Sequence, residues 1–203
     1  MKGKFIVFEG IDGSGKTSQI EILKDNLANL GIDSIITAEP SKGAIGQLLR
    51  SIQQGKEILN PNPYMMAFLY AADRSYHVDW IKTKLEEGSW ILCDRYKFSS
   101  FAYQGNNNLD LLDLTKEINS IFPEPDHSFL LNITPDESLS RTADRSTIEI
   151  FEKRDFLEEV SNNYKKLFTE AENRNNISII DASLNKEEVS TKILSILRKK
   201  YIL

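Results

Sequence analysis

The sequence predicts an α/β fold in which helices flank a five-stranded parallel sheet. Short, continuous apolar runs alternate along the chain with longer segments whose apolar residues recur at helical spacing. Continuous rather than alternating apolar runs are typical of strands that are buried on both faces, as in parallel sheets. The chain has 203 residues, so we expect a single domain over residues 1–203.

Five strands and six helices follow from this alternation. The predicted strands are Phe5–Phe8, Ser34–Thr37, Trp90–Cys93, Phe129–Ile133 and Ile177–Ile180. The predicted helices begin at Lys16, about Ala44, about Pro63, Leu109, Pro135 and Asn185, and the last ends at Lys200. Crossovers between parallel strands are right-handed, so a ligand should bind at the carboxyl ends of the strands.

The first strand is followed by a loop that fits the phosphate-binding pattern G-x-x-x-x-G-K-[ST]. Its residues are Gly10, Ile11, Asp12, Gly13, Ser14, Gly15, Lys16 and Thr17. The glycines let the backbone turn its N–H groups inward, and the following helix adds its positive N-terminal end. We expect Lys16 to reach the β- and γ-phosphates of a nucleotide and the Thr17 hydroxyl to ligate Mg²⁺.

Polar residues also follow the later strands. Glu39-Pro40 comes after the second strand and Asp94-Arg95-Tyr96 after the third. A carboxylate at Asp94 is placed to hold Mg²⁺, directly or through water, beside Thr17. The alternative is that Asp94 and Arg95 simply pair with each other.

The long third helix carries Tyr70 and Arg74, which are four residues apart and therefore share one face. A ring and a guanidinium on one face suit an aromatic base and a phosphate. The residues alone favour the other interpretation, an ordinary core tyrosine beside a solvated arginine. A charged run over about residues 141–154 is either a solvated helix face or a lid that closes over phosphates.

Composition and charge argue against several classes of protein. The formal net charge of −5 is unlike that of a nucleic-acid scaffold, which usually carries a basic face. No apolar run approaches a membrane span, and no signal-peptide pattern precedes the first strand. The single cysteine, Cys93, excludes an internal disulfide and suits a reducing cytoplasm. We therefore expect a cytoplasmic protein that binds neither nucleic acid nor membrane.

Near the C-terminus, Asn185-Lys186-Glu187-Glu188 is similar to the guanine-binding N-K-x-D of GTPases. The better interpretation is a helix cap, in which Asn185 and Glu188 form a capping box. The region between the phosphate loop and the third strand also lacks the D-x-x-G pattern with which GTPases sense the γ-phosphate.

Seven stretches together resemble the thymidylate kinase (dTMP kinase) family over essentially the whole chain. They are residues 8–17, Glu39-Pro40, Tyr70-Ala71-Ala72-Asp73-Arg74, Asp94-Arg95-Tyr96, Ser99-Ser100-Phe101-Ala102-Tyr103-Gln104-Gly105, Pro123-Glu124-Pro125-Asp126 and Ile180-Asp181-Ala182-Ser183. The phosphate loop alone indicates only a nucleotide, whereas D-R-Y followed by S-S-x-A-Y-Q-G is far more specific. The resemblance implies the P-loop nucleoside monophosphate kinase fold, with a small lid over about residues 141–154.

The resemblance also implies a reaction, the transfer of a phosphoryl group from ATP-Mg²⁺ to dTMP, giving dTDP and ADP for dTTP biosynthesis. Asp12 stands at the family's carboxylate position, which contacts the acceptor nucleotide and helps to position the reacting groups. Lys16 and Thr17 hold the donor phosphates and the metal. Ala182 and Ser183 fall where the family lines the adenine pocket.

The acceptor site implied by the resemblance combines arginines, an aromatic ring and polar side chains. Arg95 and Arg74 would hold the phosphate and base region of dTMP, with Arg50 a weaker candidate for the phosphate. Tyr70 stands where the family stacks a ring on thymine. Tyr103 would pack where a ribose 2′-OH would project, which favours deoxyribose. The polar members of this site are Glu39, Ser100 and Gln104.

Three positions depart from the family pattern. Tyr70 replaces the usual phenylalanine, so its hydroxyl needs a partner. Ala38 stands where many members have an arginine before Glu-Pro. Gly13 stands where some members carry a loop arginine, and a second type supplies that arginine from the lid. We expect Arg145 to be the catalytic member of the lid arginines, which are Arg141, Arg145 and Arg154.

Two other functions remain open at this point. One is a kinase for another (deoxy)nucleoside monophosphate, because the methyl group that separates dTMP from dUMP is worth only about 1–3 kcal/mol. The other is a nucleotide-binding switch without turnover. The resemblance further implies a homodimer formed through helices. Phe68, Leu69 and the apolar face around Phe98 and Phe101 are candidates for that interface, but they suit the core equally well.

Overall fold

A parallel sheet of five strands forms the centre of the computed structural model, which describes residues 2–56, 59–104, 108–142, 154–171 and 174–201. The strands are β1 (Phe5–Glu9), β2 (Ser34–Ala38), β3 (Trp90–Asp94), β4 (His127–Asn132) and β5 (Ile177–Asp181). Their spatial order is β2-β3-β1-β4-β5, and every neighbouring pair is parallel. The predicted sheet is therefore confirmed, although its fourth strand begins at His127 rather than at Phe129.

Eight helices surround the sheet within the described residues. They are α1 (Lys16–Asn29), α2 (Ala44–Gln53), α3 (Pro63–Glu86), α4 (Lys97–Gln104), α5 (Leu109–Asn119), α6 (Pro135–Thr142), α7 (Arg154–Glu170) and α8 (Lys186–Tyr201). The six predicted helices are present, and α8 begins one residue after Asn185 because that residue is its cap. Asn185 Oδ1 accepts from the Glu188 N–H at 3.0 Å, and Glu188 Oε2 accepts from the Asn185 N–H at 3.2 Å, which is the predicted capping box. None of the helices described is at once long and apolar enough to cross a membrane.

Helices α4 and α7 were not predicted from the sequence. Helix α4 has only eight residues and follows the D-R-Y stretch, which we interpreted solely as site chemistry. Helix α7 begins inside the charged run attributed to a lid, yet its buried residues recur at helical spacing. They are Leu157, Val160, Ser161, Tyr164, Leu167 and Phe168. This apolar face, which packs against the sheet, was the available signal for the second missed helix.

The central strand β1 is buried on both faces, as its continuous apolar run predicted. Ile6 and Phe8 join a core cluster with residues of α1, α7 and α8. Phe5 and Val7 join a second cluster on the other face, with residues of α3. Because all strands are parallel, the residues that follow them meet at one edge of the sheet. That edge holds the candidate site.

Candidate active site

A cleft of about 1510 Å³ opens at the carboxyl edge of the sheet. The predicted site residues that line it are Asp12, Gly13, Ser14, Gly15, Lys16, Thr17, Glu39, Arg50, Tyr70, Arg74, Asp94, Arg95, Ser100, Tyr103, Gln104, Ala182 and Ser183. Gly10 and Ile11 lie at the start of the phosphate loop but not on the cleft wall. Arg145, with most of the predicted lid segment, lies outside the described residues.

The phosphate loop depends on glycine at its two ends. The backbone φ is +142° at Gly10 and +92° at Gly15, the residue that precedes α1. A Cβ at Gly10 would lie 2.7 Å from the carbonyl oxygen of Leu131, so only glycine lets the loop pass the end of β4. Helix α1 thus begins at the loop, where the positive end of its dipole favours a bound phosphate.

Lys16 is buried beneath this loop, with 6% of its surface exposed. Its Nζ donates to the carbonyl oxygens of Gly10 at 3.1 Å and Ile11 at 3.0 Å. Burial lowers the pKa of Lys16, while the carboxylates of Asp94 and Asp12, each 4.0 Å from Nζ, favour the charged form. The ammonium therefore sits in a poorly solvated place in which an anionic phosphate would stabilise it.

A hydroxyl and a carboxylate meet beside Lys16 in a way that suits Mg²⁺. Thr17 Oγ1 donates to Asp94 Oδ2 at 3.3 Å. The other carboxylate oxygen, Asp94 Oδ1, is buried and has no hydrogen-bond partner, so it keeps lone pairs available. The described residues contain no cluster of three or more His, Cys, Asp or Glu side chains that could cage a metal alone. Such a pair of oxygen ligands fits a cation whose other ligands are phosphate oxygens and water.

Arg95 pairs with Asp12 across the cleft, rather than with its neighbour Asp94. Its Nη2 lies 2.5 Å from Asp12 Oδ1 and 3.2 Å from the Tyr103 hydroxyl. The Tyr103 ring centroid is 5.0 Å from the guanidinium carbon. Burial acts to lower the pKa of Arg95, but charge interactions with neighbours that include Tyr103 and Asp12 outweigh it and raise the pKa well above its ordinary value. The alternative interpretation, a simple Asp94–Arg95 pair, is therefore wrong, and Arg95 joins the phosphate loop to α4.

Arg74 is a buried arginine, with only 1% of its surface exposed, so the interpretation of a solvated side chain is wrong. Its Nε donates to Glu39 Oε2 at 2.7 Å. Its Nη2 donates to the Tyr96 carbonyl and to Ser100 Oγ, each at 3.0 Å, and Nη1 donates to Asn119 Oδ1. Four hydrogen bonds to protein groups thus fix this guanidinium in the cleft wall.

The hydroxyl of Tyr70, the residue that departs from the family pattern, has a partner. Gln53 Nε2, at the end of α2, donates to it at 2.6 Å. The same helix carries Arg50, which donates to the carbonyl oxygens of Pro40 and Ser41. Helix α2 therefore ties the aromatic ring of α3 to the loop that follows β2.

At the other end of the cleft, the backbone after β5 is held in place by four hydrogen bonds. The Ala182 N–H donates to the Asn132 carbonyl at 2.9 Å, and the Ala182 carbonyl accepts from Arg141 Nη2 at 3.0 Å. Both the backbone N–H and the hydroxyl of Ser183 donate to Asp181 Oδ1, and these bonds lower the pKa of Asp181. Arg141, which begins the predicted lid segment, thus contacts the predicted adenine pocket.

Three side chains at the site were not identified from the sequence: Glu9, Ser99 and Tyr164. Glu9 is fully buried at the end of β1, and its carboxylate accepts from the Tyr96 N–H at 3.0 Å and from Ser99 Oγ at 2.6 Å. Tyr164 of α7 places its hydroxyl 3.2 Å from Glu9 Oε2. Glu9 and Ser99 lay inside quoted motifs without a role, and Tyr164 lay in the missed helix.

Comparison with known proteins gives a consistent result. A family model described as thymidylate kinase matches residues 8–193. A probable thymidylate kinase of Methanococcus aeolicus is 40% identical over 204 residues, covering 98% of each chain. A thymidylate kinase of Prochlorococcus marinus is 38% identical over 210 residues, again covering 98% of each chain.

The fold agrees with these relatives. The structure of a thymidylate kinase from Candida albicans superimposes with a TM-score of 0.84 at 24% sequence identity, covering 98% of this chain and 92% of that one. This likeness confirms the P-loop nucleoside monophosphate kinase fold. With the family match over most of the sequence, and a cleft that joins a phosphate loop to an arginine-lined wall, the chain belongs to the thymidylate kinase family.

Proposed function

We propose that the protein transfers the γ-phosphoryl group of ATP to dTMP, giving dTDP and ADP, with the roles that the sequence analysis assigned to its residues. One observation supports this proposal most strongly. A single cleft runs from the phosphate loop to the wall that contains Tyr70 and Arg74, and the Asp12–Arg95 pair lies in that cleft. Phosphoryl transfer needs two phosphates held in line with their charge neutralised, and such a cleft can hold both.

On the donor side, the loop from Gly10 to Thr17 binds the ATP phosphates, with Lys16 as the catalytic cation. The backbone at Ala182 and Ser183 lines the adenine pocket. Thr17 and Asp94 would hold Mg²⁺, which when bound neutralises charge on the transferred phosphate. We retain Arg145 as a proposed catalytic arginine from the sequence alone.

On the acceptor side, Arg95 binds the phosphate of dTMP. To do so, it exchanges the carboxylate of Asp12, whose side chain is 32% exposed, for a phosphate oxygen. Tyr70 stacks on thymine and Tyr103 packs against the deoxyribose. The polar groups that complete this site are Glu39, Arg50, Arg74, Ser100 and Gln104. Gln104 Oε1 is buried without a hydrogen-bond partner, so it has a free acceptor near the base.

The chain acts, in this proposal, as a cytoplasmic homodimer with one domain per protomer. The dimer is supported by apolar and aromatic residues of α3 that are exposed in the single chain. They are Tyr64, Met65, Phe68, Tyr76 and Trp80. Residues four apart share a helix face, so Phe68, Tyr76 and Trp80 form one stripe. Phe98 and Phe101 pack against the core instead, and the ring centroids of Phe98 and Phe168 are 4.5 Å apart.

Thermal unfolding with dTMP alone tests the acceptor site. Saturating dTMP at about 100 times its Kd should stabilise the folded protein by about 2.7 kcal/mol, because it binds only the folded state. For a chain of this size the melting temperature should rise by roughly 5–10 °C. UMP serves as the control ligand and should give a smaller shift. A protein that responds to ATP but ignores dTMP would be a nucleotide-binding switch and would contradict the proposal.

A further inference from the structure

Tyr164 brings α7 into contact with Arg95, through a different nitrogen from the one that pairs with Asp12. Asp12 Oδ1 and the Tyr103 hydroxyl accept from Nη2, at 2.5 Å and 3.2 Å. The Tyr164 hydroxyl and Ser99 Oγ accept from Nη1, at 3.2 Å and 3.4 Å. The two terminal nitrogens therefore have separate sets of partners.

The partners of Nη1 are the more deeply buried set. Tyr164 is 1% exposed, whereas the Asp12 side chain is 32% exposed at the cleft. Burial and the nearby Glu9 carboxylate raise the pKa of Tyr164, so its hydroxyl keeps its proton at neutral pH. A solute that enters the cleft can thus displace Asp12 from Arg95 far more readily than it can displace Tyr164.

The hydroxyl proton of Tyr164 has hydrogen-bond acceptors within reach in Glu9 and Ser99. Its hydroxyl oxygen lies 3.2 Å from Glu9 Oε2 and 2.7 Å from Ser99 Oγ, and Ser99 Oγ donates to Glu9 Oε2 at 2.6 Å. A phenol has one proton and can accept at its oxygen. Tyr164 can therefore accept from Arg95 while it donates toward the fully buried Glu9 carboxylate. The result is a neutral link between the half-buried guanidinium of Arg95 and the fully buried carboxyl group of Glu9, whose pKa is raised by its burial.

The backbone of Arg95 makes such an anchor useful. Its φ of +70° is in the left-handed region, which non-glycine residues rarely occupy. This turn places the Arg95 side chain at the cleft. A long arginine side chain has many rotamers, so contacts with other residues must select one of them. Hydrogen bonds to Nη1 from a helix that is packed on the core supply that order.

We propose that Tyr164 is a positioning residue, whose hydroxyl holds Nη1 of Arg95 so that Nη2 is aimed at the phosphate of the acceptor. This inference rests on the proposed acceptor role of Arg95. When the acceptor binds, Nη2 exchanges Asp12 for a phosphate oxygen, and Nη1 stays on Tyr164 and Ser99.

The test is Tyr164→Phe, which removes one oxygen and keeps the buried ring. We expect the Kd for dTMP and the kcat/KM for dTMP each to worsen by about tenfold, with the Kd for ATP unchanged within about twofold. The matched control is Tyr201→Phe. Its hydroxyl donates to the Asp126 carbonyl at 2.9 Å, outside the site, and its loss should change neither constant.

A double variant shows whether Tyr164 acts by positioning Arg95 or only by packing in the core. In an Arg95→Lys background, Tyr164→Phe should cost no more than about a further twofold in dTMP affinity, because the group it positions is already gone. A full tenfold loss in that background, an equal loss of ATP affinity, or wild-type dTMP affinity in Tyr164→Phe would each overturn the proposal.

Two further controls keep the result interpretable. If Tyr164→Phe does not fold, Ser99→Ala is the second variant, because it removes the other acceptor of Arg95 Nη1 and the hydroxyl that bonds to Tyr164. It should show a loss of the same dTMP-selective kind, and wild-type dTMP affinity in Ser99→Ala would overturn the proposed anchoring of Nη1. Failure of the proposed function would appear differently, since the wild-type protein itself would then not bind dTMP.

Discussion

Replacing Arg95 by alanine should lower kcat/KM for dTMP by at least about a hundredfold, which corresponds to about 2.7 kcal/mol of transition-state stabilisation. The guanidinium is the cation at the meeting point of the loop carboxylate Asp12 and the α4 residue Tyr103. A charge-assisted hydrogen bond to a phosphate is worth about 1.5–3 kcal/mol, so the loss of the Nη2 bond together with the guanidinium charge accounts for such an effect. Steady-state kinetics with dTMP varied at saturating ATP measure it.

ATP binding should be nearly unchanged in Arg95→Ala, because Lys16 and the loop backbone stay in place. We expect the Kd for ATP to change by less than about twofold. Arg198→Ala, at an exposed position of α8, is the control for loss of an arginine charge and should match the wild type. Unchanged turnover of dTMP in Arg95→Ala would remove Arg95 from the acceptor site.

Replacing Lys16 by methionine should reduce kcat by about a thousandfold or more, because one preorganised charge at a developing oxyanion contributes on that scale. Among the residues that the structure describes, the only other lysine that lines the cleft is Lys186, the first residue of α8. Methionine keeps the length of the aliphatic stem, so the fold of the loop should survive. A coupled assay of ADP release measures kcat, and turnover within about tenfold of the wild type would contradict the assigned role.

The same substitution should change the stability of the ligand-free protein only slightly. Burial lowers the pKa of Lys16, so at alkaline pH the unfolded chain binds more protons than the folded one at this group. The buried charge therefore disfavours folding below the folded pKa, and this cost is relieved as the pH rises through that pKa. Lys16→Met removes this cost but also leaves the Gly10 and Ile11 carbonyl oxygens without their donor, so its melting temperature near about pH 7 should stay close to that of the wild type.

Lys97→Met is the matched control for burying a methionine in place of a lysine. Lys97 is 4% exposed, and its Nζ donates to the Phe122 carbonyl and to Glu124 outside the cleft. Its removal leaves a buried carbonyl without its donor, so this variant should melt at a lower temperature yet keep its kcat. A loss of stability in Lys16→Met that matched the loss in Lys97→Met would show that the loop lysine is structural.

The sheet and the phosphate loop were predictable because their signals are local. A buried strand, a glycine-rich turn and a helix start at Lys16 stand next to one another in the chain, and each depends on nearby residues only. The same holds for the cap of α8, whose two partners are three residues apart.

The partners of the arginines were not predictable in the same way. Arg95 bonds to Asp12, which is 83 residues away, and Arg74 bonds to Glu39 and Asn119, which are 35 and 45 residues away. Adjacency in sequence made Asp94 the alternative partner of Arg95, but the left-handed backbone at Arg95 turns the side chain toward the loop instead. The hydrogen-bond partners of these arginines depend on tertiary contacts, which a local sequence pattern does not predict.

Tyr164 shows the same limit at a longer range. It lies 155 residues from Glu9 and 69 from Arg95, on a helix whose charged start masked its apolar face. The family resemblance supplied the motif residues of the acceptor site but gave no role to this tyrosine. Only the topology, which packs α7 against α4 and the central strands, brings its hydroxyl to the site.

The most direct measurement of the central claim is ADP release with ATP-Mg²⁺ and a panel of acceptors: dTMP, dUMP, UMP, CMP, AMP and GMP. We predict that dTMP has the highest kcat/KM, with dUMP about 10–200-fold lower, since one methyl group separates them. Ribonucleotides and purine monophosphates should be poorer still. A higher kcat/KM for any other monophosphate, or no turnover with any acceptor, would contradict the assignment of dTMP as the substrate.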